Sequence, residues 1–366
     1  MRSTKRKVIM KLFPVTHYEA MMNSVYGAAI NDLFGRMDAY RSADYLTFCD
    51  ALVKEIESSL LGNADENQLM VGIQSLQRMM ANQESMNLMG NMLWHCWQMR
   101  HNGERIYYVA KDLCHRLIHT RANVSCEYVK APFDEIYVCL DQSEIVIDDR
   151  IDNTVRPMRG MYIGLKKESS GKTRMRVMAS SGGAGIENRS DINYHYVLDI
   201  PDSHATVDDA INIMMRDLGA GKITAFSLTD VNRNMIQESF RLAVNILLYI
   251  TSKDADTLPV KPDSFSEAAD KKTNPAKAKK LLEKIGRFAQ YPFIMVGPNV
   301  PPLESEAISS RAGGKITCMF SVSGHWRWQW KGPKDTQTQE HIWIAPYTKG
   351  KGLIEGLHKK YIVEER

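Results

Sequence analysis

The chain has 366 residues, 44% of them hydrophobic and 25% charged, with a formal net charge of +4. That mix excludes collagen-like, coiled-coil and wholly disordered chains, and the length predicts two or three domains, or one large domain with an appendage. No apolar window approaches the roughly 18 residues of a membrane-spanning helix, and no apolar core follows the basic segment 1–11, so neither a membrane span nor a secretory signal is expected.

The pattern is helical from residue 17 to about 122. In 17–36, Met21, Val25, Ala28, Ala29 and Leu33 share a stripe, and in 45–61 Leu46, Cys49, Val53, Ile56 and Leu60 share another. Leu69, Ile73, Leu76 and Met80 keep the helical period, and Met89, Met92, Leu93, Cys96 and Met99 continue it after a break near 83–87. Asn102-Gly103 is a stop signal. The spacing of Ile106, Ala110, Leu113 and Leu117 predicts one more helix. Beyond 123 the period changes to two. Ile136, Val138 and Leu140 alternate with Tyr137 and Cys139, and 144–148, 158–166, 173–178 and 194–200 read as further strands of an antiparallel meander. Helices return at 208–218 and 232–251. The polar, proline-bearing stretch 252–278 reads as a linker, 276–289 as a short basic helix, and 293–296, 316–322, 326–331, 341–345 and 361–363 as strands. The expected fold is α+β: a helical region over 1–122, then a domain over 123–366 with helices and a mixed, mainly antiparallel sheet, ending in an aromatic and basic hairpin at 316–351.

The cysteines, Cys49, Cys96, Cys114, Cys126, Cys139 and Cys318, form no C-x-x-C and read as reduced thiols of a cytoplasmic protein. The 21 methionines point to irregular helix packing or partner contact, not to a reaction. Basic charge crowds three places. Arg2, Lys5, Arg6, Lys7 and Lys11 open the chain. Lys271, Lys272, Lys277, Lys279, Lys280, Lys284 and Arg287 follow later, and Arg311, Lys315, Arg327, Lys331, Lys334, Lys349 and Lys351 lie near the end. The remainder is net acidic. Such clustering fits a polyanion partner as well as ordinary solvated helix faces.

Several motifs fail. Gly171-Lys172-Thr173 resembles the end of a phosphate loop, but the earlier glycine is missing and strands flank it, so it reads as a hairpin turn. The glycine-rich segment 180–185 also reads as a turn. His115 and His119 have zinc-like helical spacing beside Cys114, with His95, Cys96 and His101 upstream. No further ligands stand at typical spacing, so no metal and no cofactor are expected. Neither G-x-S-x-G nor H-E-x-x-H occurs, and the adjacent acids Asp148-Asp149 and Asp208-Asp209 point different ways on regular structure.

One segment stands apart. Four of the six tryptophans fall between 326 and 343. On a strand, Trp326, Trp328 and Trp330 share one face, while His325, Arg327, Gln329 and Lys331 share the other. With Trp343, the aromatic face forms a platform. Three readings stay open. The platform can stack on single-stranded RNA while Arg327, Lys331, Lys349, Lys351 and the cations Lys277, Lys279, Lys280 and Arg287 meet phosphates. Alternatively, His325 and His341 pair beside Arg327 as acid and base of a metal-free ribonuclease. Or the tryptophans simply pack the core.

The string Gly324-His325-Trp326-Arg327, Gly332-Pro333, Ile342-Trp343-Ile344-Ala345-Pro346 and Lys349-Gly350 resembles the C-terminal signature of a family carried by phages, plasmids and other mobile elements. Its best-known member is a type V-A anti-CRISPR protein acting during synthesis of the effector nuclease. Gly103, Ile106 and Tyr107, the 132–138 segment, Arg159-Gly160-Met161-Tyr162, the 275–280 lysines and Val296-Gly297 agree in order, so the resemblance covers about 90–352. It implies inhibition of a host defence nuclease in the bacterial cytoplasm, through its nascent peptide or translating mRNA, with RNA or the ribosome as partner and a lowered transcript as outcome. A pure protein-binding inhibitor is the remaining alternative. Oligomeric state is left open.

Overall fold

The computed structural model describes residues 18, 27–40, 45–63, 83–140, 143–149, 154–168, 171–181, 193–201, 205–219, 229–260, 291–302, 320–333 and 336–349. The basic segments 1–11 and 271–287, the 276–289 helix, the helical pattern at 69–80 and the 361–363 strand lie outside these residues, as do Lys277, Lys279, Lys280, Arg287 and Lys351.

Among the described residues, the helices ahead of the sheet are α1 (Gly27–Arg36), α2 (Tyr45–Asn63) and α3 (Gln83–His101). The last runs unbroken through 83–87, where an interruption was expected. It stops at the anticipated place. Gly103 (φ 76°) and Glu104 (φ 54°) turn left-handed, and the Glu104 N–H donates to the Met99 carbonyl at 2.8 Å, closing the last turn.

The expected helix over 106–117 is corrected at its start. Ile106–Val109 is strand β1, and helix α4 spans only Lys111–Ile118. Four consecutive β-formers, buried throughout, suit a strand enclosed on both faces, and this outweighs the helical spacing of Ile106 and Ala110. The sheet therefore begins N-terminal to 123. Its other members are β2 (Glu135–Leu140), β5 (Gly160–Lys167), β6 (Thr173–Ser180), β7 (Asn193–Ile200), β8 (Thr257–Val260) and β9 (Phe293–Val296). Between β2 and β5 stands a separate hairpin of β3 (Val146–Asp149) and β4 (Thr154–Pro157). The order is β7-β6-β5-β2-β1-β9-β8. β1 pairs in parallel with β2 and β9, and the other four pairings are antiparallel. The fold is α+β with a mixed, mainly antiparallel sheet. β8 falls inside the stretch read as linker; as the outermost strand it tolerates Pro259. The Gly171-Lys172 segment is the expected turn between β5 and β6, with Gly171 at φ 82°.

Alternation along the strands feeds two cores. Tyr107, Val109, Val138, Met161 and Val177 face one, which α4, α5 (Val207–Gly219) and α6 (Asp230–Thr251) cover. Tyr108, Tyr137, Tyr162 and Met178 face the other, closed by Phe34, Phe48, Trp94 and Trp97 from α1–α3. Thr229 caps α6 by accepting from the Asn232 N–H at 3.2 Å. No helix among the described residues is long and apolar enough to cross a membrane.

Candidate functional site

The last described residues form two short ladders. β10 (Phe320–Val322) pairs with β13 (Tyr347–Lys349), and β11 (His325–Lys331) with β12 (Thr338–Ile344). In the second ladder Trp326 faces Trp343, Trp328 faces His341, and Trp330 faces Gln339. Directly opposed residues share a face, so the tryptophans line one side as the alternation requires. That face divides along its length. At the inner end, Trp326 is 8% exposed and belongs to the core under α6. Its Nε1 donates to Asn245 Oδ1 at 3.0 Å. Asn245 Nδ2 donates in turn to the carbonyls of Leu117 (3.0 Å) and Thr120 (2.8 Å) at the end of α4. Trp343 Nε1 donates to Thr120 Oγ1 at 3.1 Å, and Tyr249 meets its ring edge-on at 5.4 Å. The structural reading is right for these two rings.

At the outer end, Trp328 is 44% and Trp330 59% exposed. His341 stacks on Trp328, with ring centroids 4.9 Å apart and planes 29° apart. Tyr128 meets Trp328 edge-on at 4.9 Å. Burial holds His341 below its ordinary pKa, so it sits as a neutral ring in an aromatic row. The presented surface is thus Tyr128, His341, Trp328 and Trp330.

The opposite face carries His325, Arg327, Gln329 and Lys331. Arg327 Nη2 donates to Gln329 Oε1 at 2.9 Å. Lys331 Nζ lies 3.1 Å from Asp254 and 2.8 Å from Glu340, and Lys253 reaches Glu340 at 3.1 Å. The hydrogen bond to Glu340 leads in raising the Lys331 pKa. Part of the expected basic face is therefore neutralised by acids within the chain. Lys349 lies in β13, opposite Phe320 of β10.

The register separates the two histidines proposed as acid and base. His325 opposes Ile344 while His341 opposes Trp328, so their side chains leave opposite faces of the hairpin. The structure does not bring His325, His341 and Arg327 together. The wider histidine set is also dispersed. His95 bonds Glu135 at 2.7 Å and His101 bonds Asp38 at 3.0 Å. Cys96 belongs to the core on one side of the sheet and Cys114 to that on the other.

The signature glycine has an architectural role. The Gly324 N–H donates to the His119 carbonyl (3.1 Å), and its carbonyl accepts from the Arg121 N–H (2.9 Å). A Cβ there would lie 2.8 Å from Pro346 Cδ and against Thr120 Oγ1. Gly324, Trp326, Trp343 and Pro346 together lock the hairpin root to the end of α4.

A family model described as AcrVA2-like, the anti-CRISPR type V subtype A2 family, matches residues 107–348. The chain belongs to this family. The matched span of the AcrVA2-like family starts within β1 and ends within β13, so it takes in the whole sheet and the hairpin, while α1–α3 precede it. Among solved structures, the crystal structure of AcrVA2 matches at 14% identity with a TM-score of 0.43, over 87% of this chain and 97% of that one. A search of curated proteins gave no significant match.

Three residues of the site escaped the sequence reading. Tyr128 extends the aromatic row from a 3₁₀ turn at Cys126–Tyr128, and Thr120 and Asn245 anchor the buried rings. Nothing local marks them, since their partners lie 81 to 223 residues away.

Proposed function

We propose that this AcrVA2-like protein inhibits a host defence nuclease during its synthesis, contacting RNA of the translating message with the outer half of the C-terminal hairpin and lowering expression. The observation that carries this reading is the exposed pair Trp328 and Trp330, held in a row with His341 and Tyr128. A flat aromatic row suits bases of single-stranded RNA, because every base offers a π-face. Arg327 and His325 alternate with these rings on the hairpin's other face, so the phosphates they would meet belong to RNA that passes around the hairpin. This reading also assigns phosphate contacts to Lys349, Lys351 and the cations Lys277, Lys279, Lys280 and Arg287, of which all but Lys349 lie outside the described residues. Family membership supports the defence target and the cytoplasm of a bacterial host as the place of action. The nascent peptide of the nuclease is the protein partner this reading includes.

The test is co-expression with a type V-A effector gene, following effector transcript and protein together. The wild-type chain is expected to lower both, and Trp328→Ala/Trp330→Ala to restore both. A transcript that stays constant while effector activity falls would replace this reading with direct protein inhibition.

A further inference from the structure

We infer that His115, His119 and Glu144 form a binding site for one zinc ion. His115 and His119 lie four residues apart on the last turn and C-cap of α4, on one side of the helix. Their rings meet at 4.5 Å. The third donor comes from a different segment, just ahead of β3. Glu144 Oε1 contacts His115 Nδ1, and its Oε2 lies 3.3 Å from His119 Nε2. One ligand atom from each of the three lies within 4.8 Å of the others. Ligands at about 2.0–2.2 Å from a tetrahedral zinc stand roughly 3.3 Å apart, so small side-chain rotations close the set.

The donor types select the ion. Two imidazoles and one carboxylate suit zinc and its first-row neighbours, whereas calcium and magnesium prefer oxygen alone. His119 and Glu144 are 50% and 54% exposed, which leaves an open position for water. The field favours a cation. The C-terminal end of a helix carries partial negative charge, and Glu238 on α6 lies within electrostatic reach of both His119 and Glu144. Without an ion, the same contacts are an exposed His–carboxylate cluster that adds little to stability. Zinc instead ties the segment before β3 to the end of α4. That end also holds the hairpin, because Gly324 binds the His119 carbonyl and Thr120 holds Trp343.

The experiment uses the full chain, stripped with a chelator and titrated with zinc chloride by calorimetry, then with cobalt chloride by visible absorption. One equivalent of zinc is expected, with a rise in Tm and cobalt bands of nitrogen and oxygen ligation lacking a thiolate charge-transfer band. His119→Ala and Glu144→Gln are surface changes, checked for folding by circular dichroism, and each is expected to abolish the one-equivalent isotherm and the Tm rise. Full binding retained in Glu144→Gln would reduce the site to a histidine pair and overturn the inference. So would thiolate ligation, or the absence of stoichiometric binding at micromolar zinc. None of these readouts depends on RNA or on effector expression, so failure here is distinguishable from failure of the hairpin reading.

Discussion

Asn245 stands where α4, α6 and the hairpin root meet, fully buried, with its amide serving two carbonyls and one indole N–H. Truncating it leaves those buried groups without partners, so Asn245→Ala is expected to cost about 3 kcal/mol, read as a lower urea midpoint. A second buried polar group lies across the sheet. His95 and the Nε2 of His195 are buried, and neither Nε2 has a hydrogen-bond partner among the described residues. Their rings are 5.2 Å apart, beside Glu135, Arg176 and Tyr162. Burial, with the charge of Arg176, pushes His95 down to about 3; burial first, then His95 and Arg176, holds His195 well below its ordinary value. Both rings stay neutral in the fold, while the unfolded chain takes up protons below about pH 6.5. Their stabilisation is thus complete above that pH and lost as pH falls toward 3. Burial raises the Glu135 carboxyl and opposes this in part, since that contribution is lost as pH rises. Two imidazoles outweigh one carboxyl, so the Tm is expected to fall between pH 7 and 5. Uptake of a proton at the His95 position by the unfolded chain costs the fold about 2 kcal/mol at pH 5; His195 acts in the same direction, and His195→Gln is expected to flatten the profile. A Tm independent of pH over that range would refute the neutral-histidine assignment.

At the scale of elements, the hairpin has a structural half and a presented half. Trp326→Ala removes a core ring and a hydrogen bond, with an expected cost of about 3–5 kcal/mol. Trp330→Ala is expected to shift stability by no more than about 0.5 kcal/mol. Comparing the two by urea unfolding separates packing from function on a single strand. The sequence made the alternation of 325–331 legible, because a period of two needs no partner. It left the depth of each ring open, since Trp326 is buried by Asn245 on a helix 81 residues away. Pairing His325 with His341 failed for a related reason: a one-residue step in register moves a side chain to the other face, and spacing along the chain does not carry register. β1 was missed because its bulky residues are buried on both sides and so lack alternation. The zinc spacing of His115 and His119 was visible, whereas Glu144 joins them only through the fold.

At the scale of the whole molecule, a seven-stranded sheet between two helical layers is followed, among the described residues, by two short ladders; the longer is hydrogen-bonded at its root to the end of α4 and exposes Trp328 and Trp330 further out. Helices α1–α3 and the antiparallel run of β2, β5, β6 and β7 were legible from period alone; the separate β3–β4 hairpin and the parallel pairing of β1 with β9 were not, because 183 residues intervene between β1 and β9 and pairing partners leave no mark in the period. A long-range charge contribution to RNA binding should show in salt. Single-stranded RNA affinity is expected to fall with a log–log slope of about −0.7 for each phosphate contacted. A flat salt response with intact affinity would point to a peptide on the aromatic row.

In the proposed function, Trp328 and Trp330 are presented for stacking. Its most direct test is the affinity of the full chain for a short single-stranded RNA, compared between wild type and Trp328→Ala/Trp330→Ala by fluorescence anisotropy. Stacking is worth about 1–3 kcal/mol per base, so the double variant is expected to bind about 10-fold or more weakly at unchanged Tm. Equal affinity in the two proteins, or no measurable affinity in the wild type, would contradict the account.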